Sequence, residues 1–239
     1  MASQEIITDY NELSERAYEI AIASNREEVE QIVSELKDTI FENHLTHLTA
    51  PQIGYNKRIF CINFGGDIRT FINSMIIRTD EFVLSREHCA SLENDYIIPR
   101  HKEIVAAYQT PTGKSESNRF LEPVSHIFEQ CQDLLDGVLL CDYGLEITPE
   151  FDEATDSEKE EVIEYYLKAL TGVHEELEKQ IEGDEWLKKT RDAIDFMDSV
   201  IKGETKMEDA SEEEKPVKLN RSARRLIKKF SKRGKKLVN

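Results

Sequence analysis

Cysteine is scarce in this 239-residue sequence: four residues, none in a C-x-x-C pair. So few cannot staple a chain this long or build a zinc ribbon, and they point to a reducing, intracellular setting. Long hydrophobic runs are missing, which excludes a membrane-spanning helix of about 20 apolar residues. Met1-Ala2-Ser3-Gln4-Glu5 lacks the basic and apolar regions of a secretory signal, so the protein is not expected to be secreted. No internal repeat is present. Acidic residues are absent from Lys215 to the end, a stretch that holds eleven Lys and Arg. The first 214 residues carry all 48 acidic residues against 20 basic ones, and 23 of the acidic residues fall in 150–214. The whole-chain charge of −17 therefore hides a bipolar molecule.

What is there divides into three zones. Residues 1–149 read as mixed α and β. Asn25-Arg26-Glu27-Glu28 has the look of a capping box. Val29, Ile32, Val33, Leu36 and Ile40 then follow at i, i+3, i+4, i+7 spacing, on one face of a helix. Strands are expected over Arg58–Phe64, Thr70–Asn73 and Glu103–Tyr108, with Gly65-Gly66 and Pro111-Thr112-Gly113 as turns. A second helix is expected from about Phe120 to Asp136, with Val124, Ile127, Phe128, Cys131, Leu134 and Leu135 as its buried stripe. Residues 150–205 read as an acidic helical segment. A capping box at Ser157-Glu158-Lys159-Glu160 precedes Val162, Ile163, Tyr166, Leu167 and Leu170, and Val173, Leu177 and Ile181 extend the stripe. Leu187, Ile194, Met197 and Ile201 suit a further helix after Asp184. Trp186 and Tyr165-Tyr166 are expected to pin these helices to the first zone. Residues 206–239 read as a flexible linker followed by a basic amphipathic arm.

Five fragments of the first zone carry a resemblance. Ala50-Pro51-Gln52-Ile53-Gly54 is similar to the end of G-x-G-L-A-A-x-Q. Phe71-Ile72-Asn73 is similar to F/L-I-N-P, and Glu87-His88-Cys89-Ala90-Ser91 to E-G-C-L-S. Ile98-Pro99-Arg100 and the strand after it are similar to V-P-R-P and R-V-x-V-x-Y. Glu129 to Leu139 lies over Q-H-E-x-D-H-L-x-G-x-L. Together, and in order, they resemble the peptide deformylase family, which implies an α+β fold of that type carrying an added acidic helical segment and a basic C-terminal arm.

The departures direct the functional expectation. The resemblance implies one divalent metal held by a cysteine and two histidines, the histidines one helical turn apart. Cys89 matches the cysteine, but Gln130 and Leu134 stand at the histidine positions and Cys131 at the general acid/base glutamate. A Leu offers no lone pair, a Gln carbonyl is a poor transition-metal ligand, and a neutral thiol does not shuttle protons as a carboxylate does. Gln52, an oxyanion-stabilising residue in the family, is retained. Leu45, His47 and His88 replace glycines along the rim and should narrow the groove. These five positions, Gln52, Cys89, Gln130, Cys131 and Leu134, therefore read as vestigial, with no metal, no cofactor and no turnover expected.

Convergence of Cys89, Cys131, His47 and His88 would make a new metal site or a redox-active thiol pair. Buried packing thiols and space-filling histidines are the favoured reading. Cys61 and Cys141 read as core residues in apolar strands, and His126 as a partly exposed residue sharing a helix face with Gln130. In the arm, Arg221, Arg224, Arg225, Lys228, Lys229, Lys232 and Arg233 suit an acidic protein surface, nucleic acid or an anionic membrane. A protein partner is favoured over nucleic acid, because the acidic body opposes DNA. The decayed motifs also resemble the deformylase-related proteins of large tailed phages. That resemblance implies a non-catalytic binding protein in the host cytoplasm or virion: an assembly factor, a minor capsid protein, or an inhibitor of the prohead maturation protease, with the protease or capsid and core proteins as partners. The alternative is a nucleic-acid- or ribosome-associated protein acting through the arm.

Overall fold

The computed structural model describes residues 3–167 and residue 170. The acidic segment beyond residue 170 and the arm with its seven candidate basic residues lie outside the described residues. The chain divides into two units, Met1–Thr148 and Pro149–Asn239.

The first unit opens with a strap containing α1 (Tyr10–Leu13) and a 3-10 turn (Ile22–Ser24), then enters α2 (Arg26–Glu42). Val29, Ile32, Val33, Leu36 and Ile40 are all buried, as their spacing required. The expected capping box does not form. Asn25 precedes the helix without a side-chain cap, and its amide donates back to the Ala21 carbonyl at 2.8 Å. After β1 (His47–Thr49) a 3-10 turn (Ala50–Ile53) carries Gln52, and β2 (Ile59–Phe64) and β3 (Asp67–Thr79) form a hairpin across Gly65-Gly66. β4 (Phe82–Glu87), β5 (Tyr96–His101), β6 (Glu103–Gln109) and β7 (Ser115–Leu121) follow, then α3 (Val124–Leu135), α4 (Leu140–Tyr143) and β8 (Leu145–Glu146). Two antiparallel sheets result, in the orders β1-β2-β3-β6-β7 and β4-β5-β8.

The second expected helix starts four residues late, because Phe120 belongs to β7. That strand, Ser115-Glu116-Ser117-Asn118-Arg119-Phe120-Leu121, lies at a sheet edge and is half solvated, so it lacks an apolar alternation to read. Likewise, Thr70–Asn73 is only the middle of a 13-residue strand. Asn73 takes a left-handed φ of 50° beside a bulge in β3. Its side chain compensates by bonding both backbone groups of Ile20, at 3.0 and 2.8 Å, which ties the strap to the sheet. At Gly137, just past α3, φ is +73° and a Cβ would stand 2.5 Å from the Ser14 carbonyl oxygen, so only glycine allows the strap to cross there.

α3 divides the core. Phe128, Cys131 and Leu135 join Phe60, Ile62 and Phe71 from the larger sheet. Phe60 stacks on Phe71 at 5.0 Å and meets the edge of Phe128 at the same separation. Leu134 instead joins Cys89, Ile98, Tyr96, Leu13 and Leu139 on the side of the smaller sheet. Cys61 is buried in β2, whereas Cys141 lies half-buried in α4 rather than in a strand.

In the second unit, α5 (Pro149–Glu153) precedes a helical stretch over 156–167. Its N-terminal cap is Thr155, not Ser157. Thr155 and Glu158 bond reciprocally, with the Thr155 amide donating to the Glu158 carboxylate at 2.8 Å. Among the described residues no helix is long and apolar enough to cross a membrane.

Candidate functional site

Three elements bring the expected site residues together. The 3-10 turn after β1 presents Gln52, the loop after β4 presents Cys89, and α3 presents Gln130 and Leu134 one turn apart. Gln52 is buried and its hydrogen bonds are internal. Its carbonyl oxygen accepts from the Thr49 amide at 3.0 Å and hydroxyl at 3.1 Å, while Nε2 donates to Ser91 Oγ at 3.0 Å and faces Cys89 Sγ at 3.7 Å. Burial pushes the Cys89 thiol up to about 11, against the opposing hydrogen bond from the Ser91 backbone. With no cation beside it, the thiol is therefore protonated at physiological pH and a weak nucleophile.

Gln130 is buried too. Its Nε2 donates to Glu87 Oε2 at 3.2 Å and to the His88 carbonyl at 3.1 Å. Leu134 packs as hydrocarbon in the cluster that contains Cys89. Cys131 packs in the aromatic cluster, and burial, then the nearby Cys89, hold its thiol well above the ordinary range. The structure thus collects Gln52, Cys89, Gln130 and Leu134 at one place, with Cys131 near Cys89 but packed in the neighbouring apolar cluster. The rim histidines also part. His88 is exposed and bonded to Asp95 at 3.0 Å, while His47 is bonded to Gln130, and burial lowers it to about 4. His126 is more enclosed than expected, with its side chain 12% exposed and 3.6 Å from Glu122.

Next to Gln130 stands a charge network with no assigned place in the sequence reading. Arg100, buried in β5, donates through Nε and Nη2 to the two oxygens of Glu87 at 2.8 and 2.9 Å. Its Nη1 donates to Asp133 at 2.7 Å and to the Tyr143 hydroxyl at 2.9 Å, and that hydroxyl donates to Asp133 at 2.6 Å. One guanidinium therefore ties β4, β5, α3 and α4 together. Burial acts to lower Arg100, but the Asp133 charge and the bidentate Glu87 pair outweigh it and hold the cation firmly protonated. Burial raises Asp133 against the opposing pull of Arg100. The signal that would have found this network is a charged residue at inward strand positions. Arg100 follows Tyr96 and Ile98 in the alternation of β5, and all three are buried.

A polypeptide deformylase model matches residues 4–149. The peptide deformylase of Fusobacterium nucleatum is 30% identical over 130 residues, which are 53% of this chain and 75% of that protein. That of Finegoldia magna is 31% identical over 136 residues, 55% of this chain and 83% of that protein. The crystal structure of the Thermotoga maritima peptide deformylase covers 62% of this chain and all of its own, at 25% identity and a TM-score of 0.56. The fold is that of the peptide deformylases, and the chain belongs to the polypeptide deformylase family.

These matches correct the expected function. The relatives are deformylases, so they point to a catalytic class. They do not support a non-catalytic binding protein of phage assembly, a minor capsid protein or a protease inhibitor, nor the alternative of a nucleic-acid- or ribosome-associated protein. Three replaced side chains, at 130, 131 and 134, weigh less than the family match that runs over residues 4–149.

The donor set does not fit the metal that the family implies. Cys89 is a ligand of the right kind, but Gln130 presents an N–H to a carboxylate rather than a lone pair, and Leu134 has no donor at all. Among the described residues no three His, Cys, Asp or Glu side chains are grouped to hold a metal ion.

Proposed function

We propose that this chain is a deformylase-family member in which the metal-assisted hydrolysis of formyl-peptides is closed at the ligand positions. The observation that carries the reading is the commitment of Gln130. Its amide hydrogens are taken by Glu87 and by the His88 carbonyl, one helical turn from a Leu134 packed beside Cys89. Turning that amide to offer its oxygen to a cation would leave a buried carboxylate and a carbonyl short of a donor, at about 1–3 kcal/mol or more for each. The general acid/base position gives no alternative route, because a buried thiol held far above neutrality does not exchange protons at physiological pH.

The experiment is a deformylation assay on formyl-Met-Ala-Ser with purified full-length chain and added Fe(II), Co(II), Ni(II) or Zn(II). The expected result is no release of formate above that of the metal alone. Turnover that disappears in Cys89→Ser would overturn the reading and restore the family's reaction to this centre.

A further inference from the structure

At the other end of α3 lies an open cleft of about 500 Å³, a depression in the surface rather than an enclosed cavity. Its walls are the rings of Phe64, Phe71, Tyr108 and Phe120, and none of the catalytic positions lines it. Phe71 and Phe120 meet at 5.9 Å, and Phe71 and Tyr108 at 4.8 Å, both edge to face. Three of the four rings keep exposed surface, so the aromatic core of the larger sheet reaches solvent here.

Two features make this cleft attractive to a negative charge, in a first zone with 25 acidic residues against 12 basic ones. Arg69 lies over the Phe64 ring, 4.9 Å from its centre. Its Nε donates to Asp67 at 2.8 Å, and the described residues give no hydrogen bond to its two terminal nitrogens. The first residue of α3, Val124, also lines the cleft, and that 12-residue helix starts with no side-chain cap and no acidic residue in its first turn. An uncapped helix start and a guanidinium with free donors both favour an anion. Glu122 lines the cleft as well and sets the opposite limit. Arg119 also lines the cleft, but its guanidinium is paired with Glu103. With Arg119 committed, Glu122 leaves room for one negative charge beside Arg69 and repels a second.

We propose that this cleft binds a small aryl carboxylate, with the ring against Phe64, Tyr108 and Phe120 and the carboxylate on Arg69 and the start of α3. The site is separate from the Gln52–Cys89–Gln130 centre, and the inference does not rest on the state of that centre. Titration calorimetry of the full chain at low salt tests it, with 3-phenylpropionate, 3-phenylpropanamide and benzyl phosphate as probes. The expected result is one site per chain for the carboxylate, with the amide at least about tenfold weaker. Arg69→Gln should lose a similar factor with an unchanged thermal melt, and Glu122→Gln should tighten binding severalfold. Equal affinity for acid and amide, full affinity in Arg69→Gln, tighter binding of the phosphate, or no heat at millimolar carboxylate would each overturn the proposal.

Discussion

The two ends of α3 handle polar groups in opposite ways. Around Gln130 and Asp133, the amide, carboxylate and guanidinium groups bond to neighbours inside the fold, and Leu134 packs beside them. Around Val124 the helix start has no side-chain cap, the terminal nitrogens of Arg69 have no hydrogen bond among the described residues, and aromatic rings stand open. A centre whose donors are all matched is a structural element, because disturbing it leaves buried groups unpaired. A surface with unmatched donors is where a ligand gains most. One end of α3 holds the positions of this family's chemistry, and the other opens on the proposed cleft.

Removing Arg100 should break the closed end most severely. Arg100→Ala leaves the buried Glu87 and the half-buried Asp133 without their cation, and a loss of about 3–5 kcal/mol is expected from urea melts. A loss below 1 kcal/mol would mean that the network is hydrated and not a structural tie.

Next in size is a reconstruction. Gln130→His with Leu134→His places two imidazoles one turn apart beside Cys89. Zinc affinity, read by calorimetry and by metal content after dialysis, should rise at least about a hundredfold over the parent, or ~2.7 kcal/mol. No gain would show that the surrounding side chains, and not these two positions alone, exclude the ion.

A smaller effect concerns pH. His47 is held near 4 by burial, below its ordinary value of 6.5, so between those values the unfolded chain binds the extra proton. Stability from this residue is therefore complete above pH 6.5 and is lost as pH falls toward 4. Moving from pH 7 to pH 5 should cost the parent about 2 kcal/mol more than His47→Gln. Parallel stability curves for the two proteins would refute the placement of His47 against Gln130.

The open end should barely respond in stability. Arg69→Gln is expected to shift unfolding by less than about 0.5 kcal/mol, because the side chain is exposed and its contacts among the described residues are an ion pair with Asp67 and the Phe64 ring. A larger loss would make Arg69 a structural residue and weaken its role toward a ligand.

Much of the scaffold was legible because its signals are local. The stripe of α2 and the hairpin over Gly65-Gly66 follow from spacing and turn residues a few positions apart. β7 was not legible, since an edge strand rich in Ser, Glu and Asn carries no period-two apolar pattern. β4 and the inner face of β5 were obscured for a related reason: Glu87 and Arg100 occupy positions where an apolar residue would announce a strand. In the candidate site, the replacements at Gln130, Cys131 and Leu134 could be read from alignment with a motif. Their surroundings could not, and the weight placed on them carried the functional expectation outside the family.

By itself the sequence determined which side chains stand one turn apart on α3, because helical geometry converts a spacing of four into a shared face. Only the tertiary structure decided what those side chains meet. Gln130 finds Glu87 across 43 residues of chain, Arg100 finds Asp133 across 33, and Val124 finds Arg69 and Phe64 at the mouth of one cleft. Hydrogen bonds and charge pairs act over a few ångströms of space, and sequence distance carries no record of that.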